Sequence, residues 1–243
     1  KLSKVNNFSV FTSFQYDNRT VAERIIDNAL SKKSNERSII VEHFHFISKY
    51  TFDDRVAFFN LARNPLDRQI SYYCYSRWGN RPRDARAQII NRWGNNTFSE
   101  CFYMELKRRK KVCMNEDHFQ KNYICGDEVH AMLPEDIFHC AHKNLRSHYF
   151  IGIAEEYRTT LKMLSLLYPT FFNGVLEIYN NMTQDEQLRN RSPEDTAYKV
   201  CKPNAIINIQ KLMLATDERF AMEWRFYQMV VKQFYDCVAK VVH

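Results

Sequence analysis

The feature that most constrains the fold is the abrupt change of period around Arg63-Asn64-Pro65. Before it, Val56–Ala62 is short, apolar and aromatic, and reads as a β-strand. After it, Leu66–Arg77 repeats at helical spacing. Leu66, Ile70, Tyr73 and Cys74 fall on one stripe, and Arg68, Ser71, Tyr72 and Tyr75 fall on another. Proline is tolerated in the first turn of a helix, so Pro65 marks where the helix begins. The alternation recurs. Ser38–Phe46 reads as a strand, Ser48–Arg55 as a polar turn, Tyr149–Ile153 as a strand, Glu155–Leu167 as a helix, and Asp217–Val242 as a long aromatic helix. Strands alternating with helices imply an α/β fold with a parallel sheet. No repeat or low-complexity linker interrupts the 243 residues, so they are expected to form a single domain.

A strand end that runs straight into a helix is a natural anion site. Arg63 supplies a bidentate cation, the helix start supplies orphan backbone N–H groups, and Ser71 two turns on supplies a hydroxyl. The chain holds only 5 glycines, and neither G-x-G-x-x-G nor G-x-x-x-x-G-K-[ST] occurs. Any phosphate must therefore be held by arginines and helix N-termini rather than by a glycine cradle. The charge distribution agrees. The net charge is +7, and Arg63 to Arg92 contains seven Arg, two Asp and no Lys, interleaved with Tyr72, Tyr73, Tyr75 and Trp78. Guanidinium groups favour phosphate, sulfate and carboxylate partners. A second basic run, Lys107-Arg108-Arg109-Lys110-Lys111, reads as a loop.

His43 and His45 alternate in the Ile39–Phe46 stretch and would face one side of a strand, where a neutral imidazole can accept a proton. Seven cysteines, none in C-x-x-C spacing, fit disulfides in an oxidising lumen better than a zinc site; Cys101, Cys113, Cys125 and Cys140 bunch in mid-chain among loop-like residues. Buried thiols in a cytosolic protein are the other reading. N-x-[ST] sequons begin at Asn7, Asn18, Asn95, Asn181 and Asn190, the last weakened by Pro193.

The stretch Phe58–Tyr73, with Arg63-Asn64-Pro65, Ser71 eight residues after the arginine and Tyr72-Tyr73 behind it, resembles the 3′-phosphate motif of the heparan sulfate and uronyl 2-O-sulfotransferases. Further blocks come in that family's order. They are Val41–Phe46, Arg77-Trp78-Gly79, Thr97–Cys101, Ile124-Cys125-Gly126, Phe150–Glu156 and Pro169–Gly174, with an aromatic terminal helix around Phe226-Tyr227. The similarity extends over nearly the whole chain, and the divergent Pipe-like branch is the place within the family that it suggests.

The resemblance implies a P-loop-NTPase-like sulfotransferase fold with a central parallel sheet flanked by helices. It implies transfer of a sulfuryl group from 3′-phosphoadenosine 5′-phosphosulfate to the 2-hydroxyl of a uronic acid in a glycosaminoglycan or related glycan, without a metal. His43 would be the general base, with His45 as the alternative. Arg63, Ser71 and Arg189 would hold the donor, and Tyr72, Arg77 and Arg83 would line the acceptor cleft. Cys101–Cys113 and Cys125–Cys140 would be disulfides, and Asn7, Asn18, Asn95 and Asn181 glycosylation sites. The protein would be a type II Golgi membrane enzyme with a luminal catalytic domain, able to form trimers, and with no nucleic-acid partner.

One departure counts. The family's 5′-phosphosulfate loop, a K-T-x-S-T-S-like segment after the first strand, has no counterpart in these residues, and Leu2–Phe14 resembles the segment just downstream of that loop. The expectation is a domain truncated at both ends, which by itself lacks the leaving-group cation and does not turn over. A glycan-binding protein that kept the fold without the chemistry is the alternative expectation, and a basic cytosolic nucleic-acid binder is a third.

Overall fold

A computed structural model describes residues 2–12, 19–31, 37–41, 47–50, 53–78, 96–108, 120–126, 132–146, 149–182 and 206–242. The chain packs as two compact units. The first comprises Lys1–Ala62, Gln120–Asn181 and Gln228–His243, and the second comprises Arg63–Phe119 and Met182–Tyr227.

The first unit is α/β. Helix α1 (Leu2–Asn6), strand β1 (Phe8–Thr12), helix α2 (Arg19–Ser31), strand β2 (Arg37–Val41) and strand β3 (Phe58–Ala62) come first. β1 pairs in parallel with β2, with Phe8 opposite Arg37 and Thr12 opposite Val41. Strand β4 (Tyr149–Ile153) pairs in parallel with β3, with Phe58 opposite Tyr149 and Ala62 opposite Ile153. Parallel pairing is thus found. Among the described residues it takes the form of two two-stranded sheets rather than the one central sheet expected.

Strand bounds differ from the sequence reading for local reasons. β2 is described only to Val41, and residues 42–46, including His43 and His45, lie outside the described residues. β3 begins at Phe58 rather than Val56, because Asp53 organises a turn. Its carboxylate accepts from the Arg55 N–H at 3.0 Å, and its carbonyl accepts from the Val56 N–H at 2.9 Å. Ile26, Ile47 and Tyr50 form a core under β2 and β3, with Leu30, Ile40, Val56 and Phe58 against them. The Tyr50 hydroxyl donates to the Glu23 carbonyl at 3.0 Å and lies 3.0 Å from the Asp27 carboxylate, which Lys49 meets at 2.8 Å. These contacts of Lys49 and Tyr50 hold the Asp27 pKa below its ordinary value.

The end of β4 is locked by one threonine. The Thr160 hydroxyl accepts from the Ile153 N–H at 3.0 Å and donates to the Ile153 carbonyl at 3.1 Å, with both residues buried. Thr160 lies on helix α7 (Tyr157–Leu167), the helix expected from Glu155 onward; its first turn starts after Glu156, whose N–H bonds back to the Ile153 carbonyl. Gly152 is glycine because of this approach. A Cβ there would overlap Thr160 Cγ2 and stand 2.9 Å from its Oγ1. β4 in turn holds β3, since the Ala154 N–H donates to the Ala62 carbonyl at 2.7 Å.

Of the four mid-chain cysteines, Cys101, Cys125 and Cys140 sit on helices rather than in loops, and Cys113 lies outside the described residues. Cys101 lies on helix α4 (Phe98–Arg108), Cys125 ends helix α5 (Gln120–Cys125), and Cys140 lies on helix α6 (Pro134–Arg146). Thr97 and Glu100 form a capping box that starts α4. The Thr97 N–H donates to the Glu100 carboxylate at 2.7 Å, and the Glu100 N–H donates to Thr97 Oγ1 at 3.3 Å. The donated backbone hydrogen bond keeps the Glu100 pKa below its ordinary value. The basic stretch from Lys107 likewise starts as the last turn of α4 rather than as a loop.

Candidate functional site

The candidate site lies in the second unit, on helix α3 (Pro65–Trp78). Leu66, Ile70, Tyr73 and Cys74 are each buried to 4% exposure or less. They pack with Phe98, Cys101 and Phe102 of α4, Ile209 and Met213 of helix α10 (Ile206–Thr216), and Phe220 of helix α11 (Glu218–Val242). Tyr73 meets Phe98 edge-on at 5.4 Å between ring centroids, and its hydroxyl donates to the Asn96 carbonyl at 2.8 Å. With this stripe buried, the opposite stripe faces outward: Arg68, Ser71 and Tyr72 are half-buried and Tyr75 is 54% exposed. Arg63, immediately before the helix, is also half-buried.

The start of α3 differs from the expected cradle of orphan amides. Pro65 has no N–H. The Leu66 and Asp67 N–H groups donate to Asn64 Oδ1 at 3.0 and 3.3 Å, and the Arg68 N–H donates to the Asn64 carbonyl at 2.9 Å. Asn64 is thus an N-cap that already uses the donors of the first turn. Asp67 adds a carboxylate to that turn. A phosphate at this end must therefore be gripped by side chains. Arg63 and Ser71 are of the right chemistry, and Ser71 lies about 10 Å along the axis from the cap. Helical Cα–Cβ bonds tilt toward the N-terminus, so the Cβ of Ser71 is tilted toward the end of the helix that Arg63 precedes.

The other expected residues fall in separate places. Arg77 belongs to the last turn of α3, and its side chain lies outside the described part. His43, His45, Arg83, Arg189, Cys113, Asn18 and Asn95 lie outside the described residues. Cys125 and Cys140 are joined by a disulfide with Cα atoms 5.9 Å apart. Beside it, the buried Asn144 side chain donates to the Ile124 carbonyl at 2.8 Å, tying α5 to α6 a second time. Cys101 is a half-cystine, and so is Cys74, which the sequence reading treats only as a core residue; Cys237 is a free thiol. Asn7 and Asn181 are exposed. Among the described residues, no three His, Cys, Asp or Glu side chains converge to hold a metal. Sequence reasoning also passed over Asn64 as a cap, although Asn directly before Pro at a helix start is the readable signal for one.

Comparison with known proteins finds that the chain is similar to heparan sulfate 2-O-sulfotransferases and to a uronyl 2-sulfotransferase over most of its length. The chain is 27% identical over 251 residues to the heparan sulfate 2-O-sulfotransferase of Caenorhabditis elegans, an alignment covering 98% of this chain and 72% of the relative. It is 26% identical over 219 residues to heparan sulfate 2-O-sulfotransferase 1 of Gallus gallus, covering 87% of this chain and 57% of the relative. To the human uronyl 2-sulfotransferase it is 24% identical over 245 residues, covering 96% of this chain and 57% of the relative. The chain therefore spans little more than half the length of the chicken and human relatives. No protein-family model matches it.

Proposed function

We propose that this chain is part of a 2-O-sulfotransferase that moves a sulfuryl group from 3′-phosphoadenosine 5′-phosphosulfate to the 2-hydroxyl of a uronic acid in heparan sulfate or a related glycosaminoglycan. The observation that carries the reading is the alignment over 98% of the chain to a relative named for that reaction. Relatives named as enzymes favour catalysis over a glycan-binding role without chemistry. The outward face of α3, with Arg68, Ser71 and Tyr72 opposite a fully buried stripe, supports it physically.

In this reading Arg63 and Ser71 grip the 3′-phosphate of the donor through side chains alone, since Asn64 uses the first-turn amides. Arg189 is the further donor contact. Tyr72, Arg77 and Arg83 face the acceptor, whose carboxylates and sulfates suit guanidinium partners. His43, or His45 in its place, takes the proton of the 2-hydroxyl. The new bond forms between that oxygen and sulfur, the bond from sulfur to the 5′-phosphate oxygen breaks, and adenosine 3′,5′-bisphosphate leaves. As with phosphoryl transfer, positioning and charge neutralisation supply most of the catalysis. A Golgi lumen is the fitting compartment, and the Cys125–Cys140 disulfide supports it.

The test is a His43→Ala variant of the full-length protein, assayed for transfer from labelled donor and for binding to immobilised adenosine 3′,5′-bisphosphate. Lost transfer with retained binding supports the assignment. Retained transfer moves the role to His45 or elsewhere.

A further inference from the structure

The described residues include two sequon asparagines, Asn7 and Asn181, and the structure separates them by their surroundings. Asn181 is the C-cap of helix α9 (Val175–Asn180) and sits at φ −84°, ψ −4°. Its backbone N–H closes the helix on the Glu177 carbonyl at 3.0 Å, while the residue as a whole is exposed. The position ends an element, so a bulky group there displaces no ladder or core contact. Asn7 is also exposed, but it lies in a tight turn between α1 and β1 at φ 50°, and the next residue, Phe8, opens β1 and packs edge-on against Phe171 at 5.4 Å.

A sequon matters only in a chain that enters the secretory lumen. The disulfide between Cys125 and Cys140, with Cys74 and Cys101 also oxidised, is an observation independent of the sequons, and it puts the folded chain in an oxidising compartment. That is where Asn-x-Ser/Thr asparagines are modified.

From these two observations together we infer that Asn181 carries an N-linked glycan. The side-chain amide nitrogen of Asn181 attacks the anomeric carbon of a lipid-diphosphate-linked oligosaccharide. A carbon–nitrogen bond forms, the carbon–oxygen bond to the lipid diphosphate breaks, and the amide gives up one proton. Thr183, two residues on in sequence, completes the acceptor triplet. The inference rests on the luminal placement within the proposed function, but not on the sulfuryl-transfer chemistry.

The experiment is expression of the full-length protein in insect cells, then enzymatic release of N-glycans in heavy-oxygen water and peptide mapping. The expected result is heavy-oxygen aspartate at position 181. One glycan step should be lost from the electrophoretic mobility of Asn181→Gln and of Thr183→Ala, and kept in Thr183→Ser. Recovery of the Asn181 peptide as unlabelled asparagine overturns the inference, whether or not label appears at Asn7 or another sequon. Sulfuryl transfer measured on the same preparation separates the two ideas. An active, unlabelled protein removes the glycan and leaves the enzyme, whereas a labelled protein without transfer removes the enzyme and leaves the glycan.

Discussion

Thr160→Val tests whether the end of β4, and through it the strand that leads to Arg63, is held by hydrogen bonds or by packing. Valine keeps the shape of threonine and removes only the hydroxyl. In the native protein that hydroxyl serves both the N–H and the carbonyl of Ile153, at 3.0 and 3.1 Å, in a site where Thr160 is 3% exposed and Ile153 2% exposed. The Ile153 carbonyl keeps its bond from the Glu156 N–H, so valine leaves only the Ile153 N–H without a partner, at about 1–3 kcal/mol, and removes one further hydrogen bond worth about 0.5–1.5 kcal/mol, a loss of roughly 1.5–4 kcal/mol in all. For a chain of this size, with about 2–4 °C per kcal/mol, the midpoint of thermal unfolding should fall by roughly 3–15 °C. Thr160→Ser keeps the hydroxyl and loses one methyl, for about 1 kcal/mol. The predicted stability order is wild type, then Ser, then Val. It is measured by urea and thermal unfolding monitored by far-UV circular dichroism, with hydrogen exchange of the Ile153 amide as the local readout. A packing account predicts the reverse order of the two variants. Thr160→Val within about 0.5 kcal/mol of wild type, with a still-protected Ile153 amide, would refute the hydrogen-bond reasoning. A second arm uses Gly152→Ala, whose Cβ would overlap Thr160 Cγ2. Because serine lacks that methyl, Gly152→Ala should cost less in the Thr160→Ser background than in wild type.

Other consequences are more local. Asn64→Ala should destabilise the protein by about 1 kcal/mol through loss of the α3 cap, while Asn64→Asp should keep the cap and most of the stability; chemical denaturation reads both. Arg63→Ala should weaken binding of adenosine 3′,5′-bisphosphate by about 1.5–3 kcal/mol, or roughly 10- to 150-fold, by calorimetry, and equal affinity would take Arg63 out of the donor site. Asp53, bonded to the Arg55 side chain and N–H, has its carboxyl lowered to about 2. A depressed carboxyl stabilises the fold above its unfolded value near 3.8, and that contribution is lost as pH falls from there through about 2. A carboxyl NMR titration of Asp53 with a midpoint near 4 would contradict the pairing.

Much of the fold is legible in the residues because it comes from period. The α3 stripe of Leu66, Ile70, Tyr73 and Cys74 is buried as helical spacing requires, and Asp217, expected as the first residue of the terminal helix, is its cap. Asp217 Oδ1 accepts from the Arg219 and Phe220 N–H groups at 3.0 and 3.2 Å. What is not legible has identifiable causes. The cysteine-bearing stretches look like loops because their charges mask the apolar period. Even so, Thr97-x-x-Glu100 and the Pro134-Glu135-Asp136 start are helix signals that local chemistry honours. Helix α2 has neither an acid in its first turn nor a base in its last to mark it. At the site, the residue types are readable, but the fate of the amides is not. The same Asn64 that looks like part of an anion cradle turns its own side chain onto the donors an anion would need.

The most direct measurement of the central claim is incorporation of labelled sulfate from 3′-phosphoadenosine 5′-phosphosulfate into a panel of defined, desulfated glycosaminoglycans by the full-length protein, with disaccharide analysis of the product. The account predicts label on the 2-hydroxyl of a uronic acid, lost in Arg63→Ala at limiting donor and in His43→Ala at any donor concentration. Label confined to amino-sugar positions, or no incorporation by a protein that binds the donor, would contradict it.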